Sequence, residues 1–213
     1  MTEIIYKDYN FDWDIGTMTP FQYISMINIL ESVNPKRICE LGSGESTKIF
    51  KTYCKNKDCE LYSIEHDSYY TPNGGIMMPL SENTNLSVNG KLYEGCSKYE
   101  GFENWLMGQD KFDFILIDGP NDGLPTNDLN LKYARIQIID FVLFDKLRSG
   151  SIIMYHDSER GIAQNTLNEF ERLLIEKKHE YEKNVILEKD INVIEYNKRI
   201  LGSCPELMVY TIK

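Results

Sequence analysis

Four short apolar runs in this chain end in the same way. Arg37-Ile-Cys-Glu-Leu41 runs into Gly42-Ser43-Gly44, and Glu60-Leu-Tyr-Ser-Ile-Glu65 into His66-Asp67. Phe112-Asp-Phe-Ile-Leu-Ile117 runs into Asp118-Gly119-Pro120, and Ser151-Ile-Ile-Met-Tyr155 into His156-Asp157. Short apolar runs bounded by turn residues read as buried strands, and helical patterns lie between them. Strands that alternate with helices need crossover connections, so an α/β chain with a largely parallel sheet is expected. In such a sheet, ligands bind beyond the carboxyl ends of the strands. Acidic and imidazole groups collect at that edge, including two of the chain's three histidines. That rim is the candidate site.

The remaining segments fit the same alternation. Residues 1–18 are aromatic and acidic (Tyr6, Tyr9, Phe11, Trp13) and read as a flap or a packing arm. Thr19-Pro20 is a helix start signal. Phe21, Ile24, Ile27, Ile29 and Leu30 then give an apolar face that ends at Asn34-Pro35, so residues 1–35 form an N-terminal arm and helix. A helix is expected over 46–55. Residues 68–90 carry Pro72, Gly74, Gly75, Pro79 and Gly90 and are expected to be a loop or hairpin insertion. A third strand is expected over 91–95 and a short helix over 102–107. A polar loop to about residue 130, a helix over 131–147 and another over 163–178 follow. Closing strands are expected near 185–188 or 193–196, and at 207–212. Tyr69, Tyr70, Met77 and Met78 read either as a substrate lid or as packing. Glu176-Lys-Lys-His-Glu180 reads as a solvated helix face.

Composition narrows the function. With 213 residues, one domain spanning 1–213 is expected. The net charge of -10 opposes a phosphate backbone, so no nucleic-acid partner is expected. No apolar run approaches the roughly 20 residues that span a bilayer, so no membrane partner is expected either. The N-terminal MTEIIYKDYN lacks the apolar core of a signal peptide, and the cysteines are an odd five. Reduced thiols in a cytoplasmic protein follow as the expectation. Cys54 and Cys59 have a loose metal-like spacing, but no second Cys or His pair accompanies them. Homo-oligomerisation is left open.

The glycine turn carries the most chemistry. Gly42 and Gly44 let the backbone turn tightly and approach a ligand. A pyrophosphate-binding turn would read G-x-G-x-x-G, but Thr47 stands at the third glycine position. Glu40, just before the turn, repels phosphate and suits an ammonium or a zwitterion. Glu65, 25 residues on at the next strand end, suits the hydroxyls of a ribose. A nucleoside with a cationic or zwitterionic end fits both.

Arg37-Ile-Cys-Glu-Leu-Gly-Ser-Gly-Glu-Ser-Thr47 resembles the first motif of class I S-adenosylmethionine-dependent methyltransferases, an acid followed by x-G-x-G. Ile64-Glu-His-Asp67 resembles the second motif, and the runs ending at Pro120 and at Asp157 resemble the family's fourth and fifth strands. The resemblance covers about residues 20–160 in order. It implies a Rossmann-like, doubly wound, mostly parallel seven-stranded sheet with helices on both faces. It also implies that S-adenosyl-L-methionine is held by Glu40, Gly42, Ser43, Gly44, Glu65, His66 and Asp118. Glu40 would lie near the methionine end, the glycines beneath it, Glu65 on the ribose and His66 near the adenine. Cys96 is an alternative for the adenine but reads better as a buried thiol.

The ends of strands four and five resemble the small-molecule O-methyltransferases that act on sugars and natural products. The implied reaction is O-methylation of a small polar acceptor such as a sugar or glycoside, with His156, Asp118 and Asp157 as catalytic residues. In several relatives a divalent metal such as Mg sits between carboxylates here, and the matching positions are Asp118 and Asp157. His156 is alternatively the general base. Relatives with D-G-x-H have a histidine where this chain has Asn121, and D-G-P with Arg135 is similar to methyltransferases of plant cell-wall polysaccharide. Two other classes use the same architecture, a nicotinamide (NAD)-dependent oxidoreductase and a nucleotide-binding domain without turnover. The missing third glycine and Glu40 count against the first.

Overall fold

Side chains on a strand alternate between its faces, and the central runs here are buried on both. The structure, a computed structural model, describes residues 2–14, 17–88, 91–120 and 132–213. The elements are β1 (Thr2–Tyr6), β2 (Tyr9–Trp13), α1 (Pro20–Val33), β3 (Arg37–Leu41), α2 (Glu45–Lys57), β4 (Glu60–Glu65), β5 (Ile76–Met77), β6 (Leu80–Val88) and β7 (Lys91–Tyr99). They continue as α3 (Phe102–Met107), β8 (Phe114–Ile117), α4 (Ile138–Leu143), β9 (Ile152–His156), α5 (Gly161–Glu176), β10 (Tyr181–Ile186), α6 (Ile191–Leu201) and β11 (Leu207–Ile212).

Seven strands form one sheet in the order β10-β11-β9-β8-β3-β4-β5. β5, β4, β3, β8 and β9 are mutually parallel, whereas β11 runs antiparallel to both its neighbours. The mostly parallel seven-stranded sheet expected from the sequence is therefore present. Ile38, Phe114, Leu116, Ile152 and Met154 face one core, which α1 and α2 cover with Met26, Ile27, Leu30, Ile49 and Phe50. Cys39, Leu41, Ile115, Ile117, Ile153 and Tyr155 face the other, covered by Phe102, Phe141, Leu167 and Phe170 of α3, α4 and α5. Helices thus lie on both faces.

Topology fixes the site. From β3 the chain steps outward to β4 and β5, then returns to the other side of β3 as β8 and steps outward to β9. The direction of winding reverses between β3 and β8, which opens a crevice at their carboxyl ends.

Local signals explain the element ends. Thr19 closes a capping box on α1: its hydroxyl accepts from Gln22 N, and the Gln22 side chain accepts from Thr19 N at 2.8 Å. Asn34, with φ 52°, ends that helix. The arm is a β1–β2 hairpin that packs Tyr9 and Phe11 into the core, with the Phe11 ring 4.8 Å from that of Tyr23. Asp12 N donates to the Glu45 carboxylate at 3.0 Å, which ties the arm to the start of α2.

Four expectations need correction. Residues 91–95 are not a third parallel strand. They belong to β7, which pairs antiparallel with β6 as a separate hairpin, while Ile76–Met77 takes the sheet position beside β4. Pairing with the adjacent run closes only a short loop. The helix over 131–147 shrinks to Ile138–Leu143: Arg135 and Asp145 adopt left-handed φ values of 52° and 54°. Of the two places offered for the first closing strand, 185–188 overlaps β10, whereas residues 193–196 are helical, within α6, whose first turn is capped by the Asp190 carboxylate accepting from Asn192 N at 2.8 Å. Finally, Cys54 and Cys59, expected as free thiols, form a disulfide with a Cα–Cα separation of 4.5 Å. The left-handed Asp58 (φ 51°) folds the end of α2 back toward β4 and brings them together.

The expected polar loop with Asn121 lies outside the described residues, as does Gly90. No helix among the described residues is long and apolar enough to cross a membrane.

Candidate active site

The crevice is floored by backbone. Gly42 has φ +92°, and a Cβ built on it would lie 2.5 Å from Gly119 N. A Cβ on Gly119 would lie 2.5 Å from both Gly42 Cα and the Tyr99 hydroxyl. The loops after β3 and β8 therefore touch with no side chain between them. Among the described residues, nothing lies within 4 Å of where a Cβ on Gly44 would stand, so the turn opens on one side.

Glu40 organises this turn. It is fully buried and points to the α2 face. Its Oε1 accepts from the Ser46 hydroxyl, and its Oε2 from Thr47 Oγ1 at 2.7 Å and Ser63 Oγ at 2.6 Å. Burial pushes its carboxyl up to about 7, against the pull of the three hydroxyls. Thr47, in the slot of the missing third glycine, also accepts from Gly44 N at 3.0 Å. The departure from the dinucleotide pattern thus has a structural use.

Glu65 lies at the end of β4, beside the turn. Its Oε2 accepts from Ser43 N at 2.9 Å, and its Oε1 from His66 N at 2.7 Å and Asp67 N at 3.0 Å. A carboxylate offers about four acceptor positions, so one remains for a ligand hydroxyl. Ser43 Oγ is 2.8 Å from Ser63 Oγ. The His66 ring stands 6.1 Å from that of Tyr99. Its Nδ1 lies 2.6 Å from Glu65 Oε1, yet has no hydrogen-bond partner among the described residues, because the orientation is wrong for one.

On the β8–β9 side the structure brings the three proposed catalytic residues together. His156 Nδ1 is 2.9 Å from Asp118 Oδ1 and 3.7 Å from Asp157 Oδ2. One ligand atom from each of the three fits within 4.8 Å of the others. The buried Arg135 is part of the same cluster: Nη1 donates to the His156 carbonyl at 2.5 Å, and Nη2 lies 3.2 Å from Asp157 Oδ2 and 3.6 Å from Asp118 Oδ1. Arg160 Nη2 is 3.0 Å from the same Asp157 oxygen. Burial works to lower the His156 pKa, but Asp157 and Asp118 outweigh it and hold it above its ordinary value. For Asp157, burial raises the carboxyl pKa while His156, Arg135 and Arg160 bring it below the usual range. His156 Nε2 is buried and has no partner among the described residues.

Tyr99, on the β6–β7 hairpin, was not singled out by the sequence. It is 1% exposed, with its hydroxyl over Gly119 and no partner for it among the described residues. Burial, then the Glu65 carboxylate, raise its pKa well above normal, so it stays a neutral donor. Of the suggested lid residues, Tyr69, Tyr70 and Met77 are exposed and Met78 is buried. Cys96 is a buried thiol, as read. Glu176, Lys177, Lys178 and Glu180 are exposed beyond or at the end of α5.

No protein-family model matches this sequence, and no curated protein is significantly similar to it. Solved structures do match. An O-methyltransferase from Bacillus cereus in complex with S-adenosylhomocysteine is 9% identical over 92% of this chain and 83% of its own, with a TM-score of 0.54. The O-methyltransferase TomG from Streptomyces achromogenes, involved in tomaymycin synthesis and solved with S-adenosylmethionine, is 11% identical over 92% and 82%, with a TM-score of 0.53. An S-adenosylhomocysteine-bound Podospora anserina methyltransferase is 15% identical over 92% and 80%, with a TM-score of 0.50. The chain shares the Rossmann-like fold of these S-adenosylmethionine-dependent methyltransferases.

Proposed function

We propose that the protein is an S-adenosylmethionine-dependent methyltransferase, one domain over residues 1–213, that O-methylates a small polar acceptor such as a sugar or glycoside. The observation that carries this reading is the placement of the glycine turn and Glu65 on one side of the β3/β8 switch point and of His156 on the other. The residues suit the cofactor. Gly44 leaves open space beside the turn among the described residues, Glu65 keeps an acceptor position for a ribose hydroxyl, and the Tyr99 hydroxyl and His66 Nδ1 are buried without hydrogen-bond partners among the described residues. Glu40 favours a positive charge close by, because a cation would hold its carboxyl ionised despite burial.

When bound, the cofactor supplies a methyl group on a sulfonium and leaves as its thioether. The protein orients two reactants and manages one proton. Asp118 Oδ1 accepts from His156 Nδ1–H, which leaves the Nε2 lone pair to take the acceptor's hydroxyl proton. With the cofactor bound, the oxygen would bond to its methyl carbon as the carbon–sulfur bond broke, and the electron pair would go to sulfur. Asp157, beside the protonated imidazole, stabilises its charge.

A resident divalent ion on Asp118 and Asp157 does not fit these residues, because the buried Arg135 guanidinium already lies against both carboxylates. The polar acceptor is supported by the acidic rim and by the likeness to an enzyme of small-molecule synthesis. Calorimetry with S-adenosylhomocysteine and with NAD tests the reading. Heat with the first that is lost in Glu65→Ala supports it. Heat only with NAD overturns it in favour of an oxidoreductase. Labelled methyl transfer across sugars, phenols and amines then identifies the acceptor class.

A further inference from the structure

We propose that Arg135 is the resident cation of the Asp118–His156–Asp157 pocket: its guanidinium stands where a divalent ion would bind and positions His156 as proton acceptor. This deepens the methyltransferase reading and rests on it for the identity of the proton donor.

Arg135 is 3% exposed, and its Nη atoms face three groups of the pocket: the His156 carbonyl, Asp157 Oδ2 and Asp118 Oδ1. Its guanidinium carbon lies 5.7 Å from the centre of the Tyr155 ring. The backbone around it is pinned. Lys132 N and Tyr133 N donate to Gly95 O at 2.9 and 3.2 Å, and Ala134 O accepts from Tyr155 Oη at 3.0 Å and Thr166 Oγ1 at 2.6 Å. Arg135 itself holds φ +52°, a conformation uncommon for a residue with a Cβ and found where surrounding structure imposes it. The fork is therefore built into the pocket and is not a surface side chain that has swung inward.

One oxygen of each carboxylate is committed as well. Asp157 Oδ2 faces both Arg135 and Arg160, while Asp118 Oδ1 faces the His156 ring nitrogen. Among the described residues, two carboxylates meet two guanidinium groups there. A magnesium ion needs oxygen ligands at about 2.0–2.1 Å in near-octahedral order and would have to expel a buried cation to obtain them. A planar fork also fixes direction, which a point charge does not. By contacting Asp118 and the His156 carbonyl together, Arg135 holds the carboxylate where it selects the Nδ1–H tautomer.

Two measurements on the full chain test this. Titration with Mn2+, followed by electron paramagnetic resonance, is expected to find no stoichiometric site in the wild type. Long-range 1H–15N spectra are expected to find His156 as a single Nδ1–H tautomer. In Arg135→Gln that single-tautomer pattern is lost, and in Arg135→Lys it is partly restored. A stoichiometric Mn2+ site in the wild type that Asp118→Asn removes overturns the proposal. So does an unchanged tautomer in folded Arg135→Gln. If neither Arg135 variant folds, the wild-type Mn2+ result decides. S-adenosylhomocysteine calorimetry on the same wild-type sample separates the two readings: no heat there sinks the methyltransferase assignment and leaves the Arg135 result standing.

Discussion

Replacing Gly42 with alanine drives a methyl group into the backbone of Asp118-Gly119. The new Cβ would stand 2.5 Å from Gly119 N and 2.7 Å from the Asp118 carbonyl carbon, where ordinary contact begins at 3.4 Å, so the loops must part by 0.7–0.9 Å. Left-handed backbone with a Cβ costs about 1–2 kcal/mol. Overpacking of this kind costs about 1–3 kcal/mol more. Lower entropy of the unfolded chain returns about 0.4–1 kcal/mol. The net expectation is a destabilisation of about 1–5 kcal/mol, or a Tm lower by roughly 2–20 °C for a chain of this length. Urea unfolding at equilibrium measures it, with Gly44→Ala as the control. Gly44 has an extended φ of -177° and open space around its Cβ position, so its substitution should change stability by no more than about 0.5 kcal/mol while weakening S-adenosylhomocysteine binding. A Gly42→Ala protein within about 0.5 kcal/mol of wild type would refute the close-approach argument.

Other outcomes follow from the charged groups. Burial holds Glu40 at about 7, above its unfolded value. Its contribution is therefore intact below the unfolded pKa and lost as pH rises through the folded one, so from pH 4.5 to 8 the wild type should lose up to ~3 kcal/mol relative to Glu40→Gln in denaturant titrations. The raised pKa of His156 likewise favours the fold at low pH and is lost as pH rises through it. As a proton acceptor His156 must be neutral, so the ascending limb of the pH–rate profile should lie on the alkaline side of an ordinary imidazole. His156→Gln should cut turnover by about 10²–10⁴-fold with calorimetric cofactor binding retained. Glu65→Ala removes the acceptor for three backbone N–H groups as well as for the ligand, so cofactor affinity should fall at least about tenfold, read by the same calorimetry.

The strand ends were legible because burial on both faces writes itself as uninterrupted apolar runs: Phe114–Ile117 and Ile152–His156 needed no other signal. Glu65 at the end of the strand after the glycine turn was legible from its spacing to Glu40, whereas its bond to Ser43 N was not. The 91–95 run was assigned to the wrong sheet because alternation marks a strand without naming its partner, and β6 was the nearer one. The helical period over 131–147 concealed the left-handed Arg135, whose conformation is set by groups more than 20 residues away in sequence, at His156 and Asp157. Tyr99 left no trace in the sequence, because one tyrosine on a hairpin says nothing of the Gly119 backbone it lies against. Its hydroxyl, without a hydrogen-bond partner among the described residues, is visible only once the hairpin is seated.

The contact between Gly42 and Gly119 links two positions that lie 77 residues apart in the chain, since 119 less 42 is 77. Neither can acquire a side chain unless the opposite loop retreats, so a related protein bearing a larger residue at one of them must have remodelled both. The two halves of the sheet, one presenting the glycine turn and the other the histidine, are for that reason unable to diverge in shape independently.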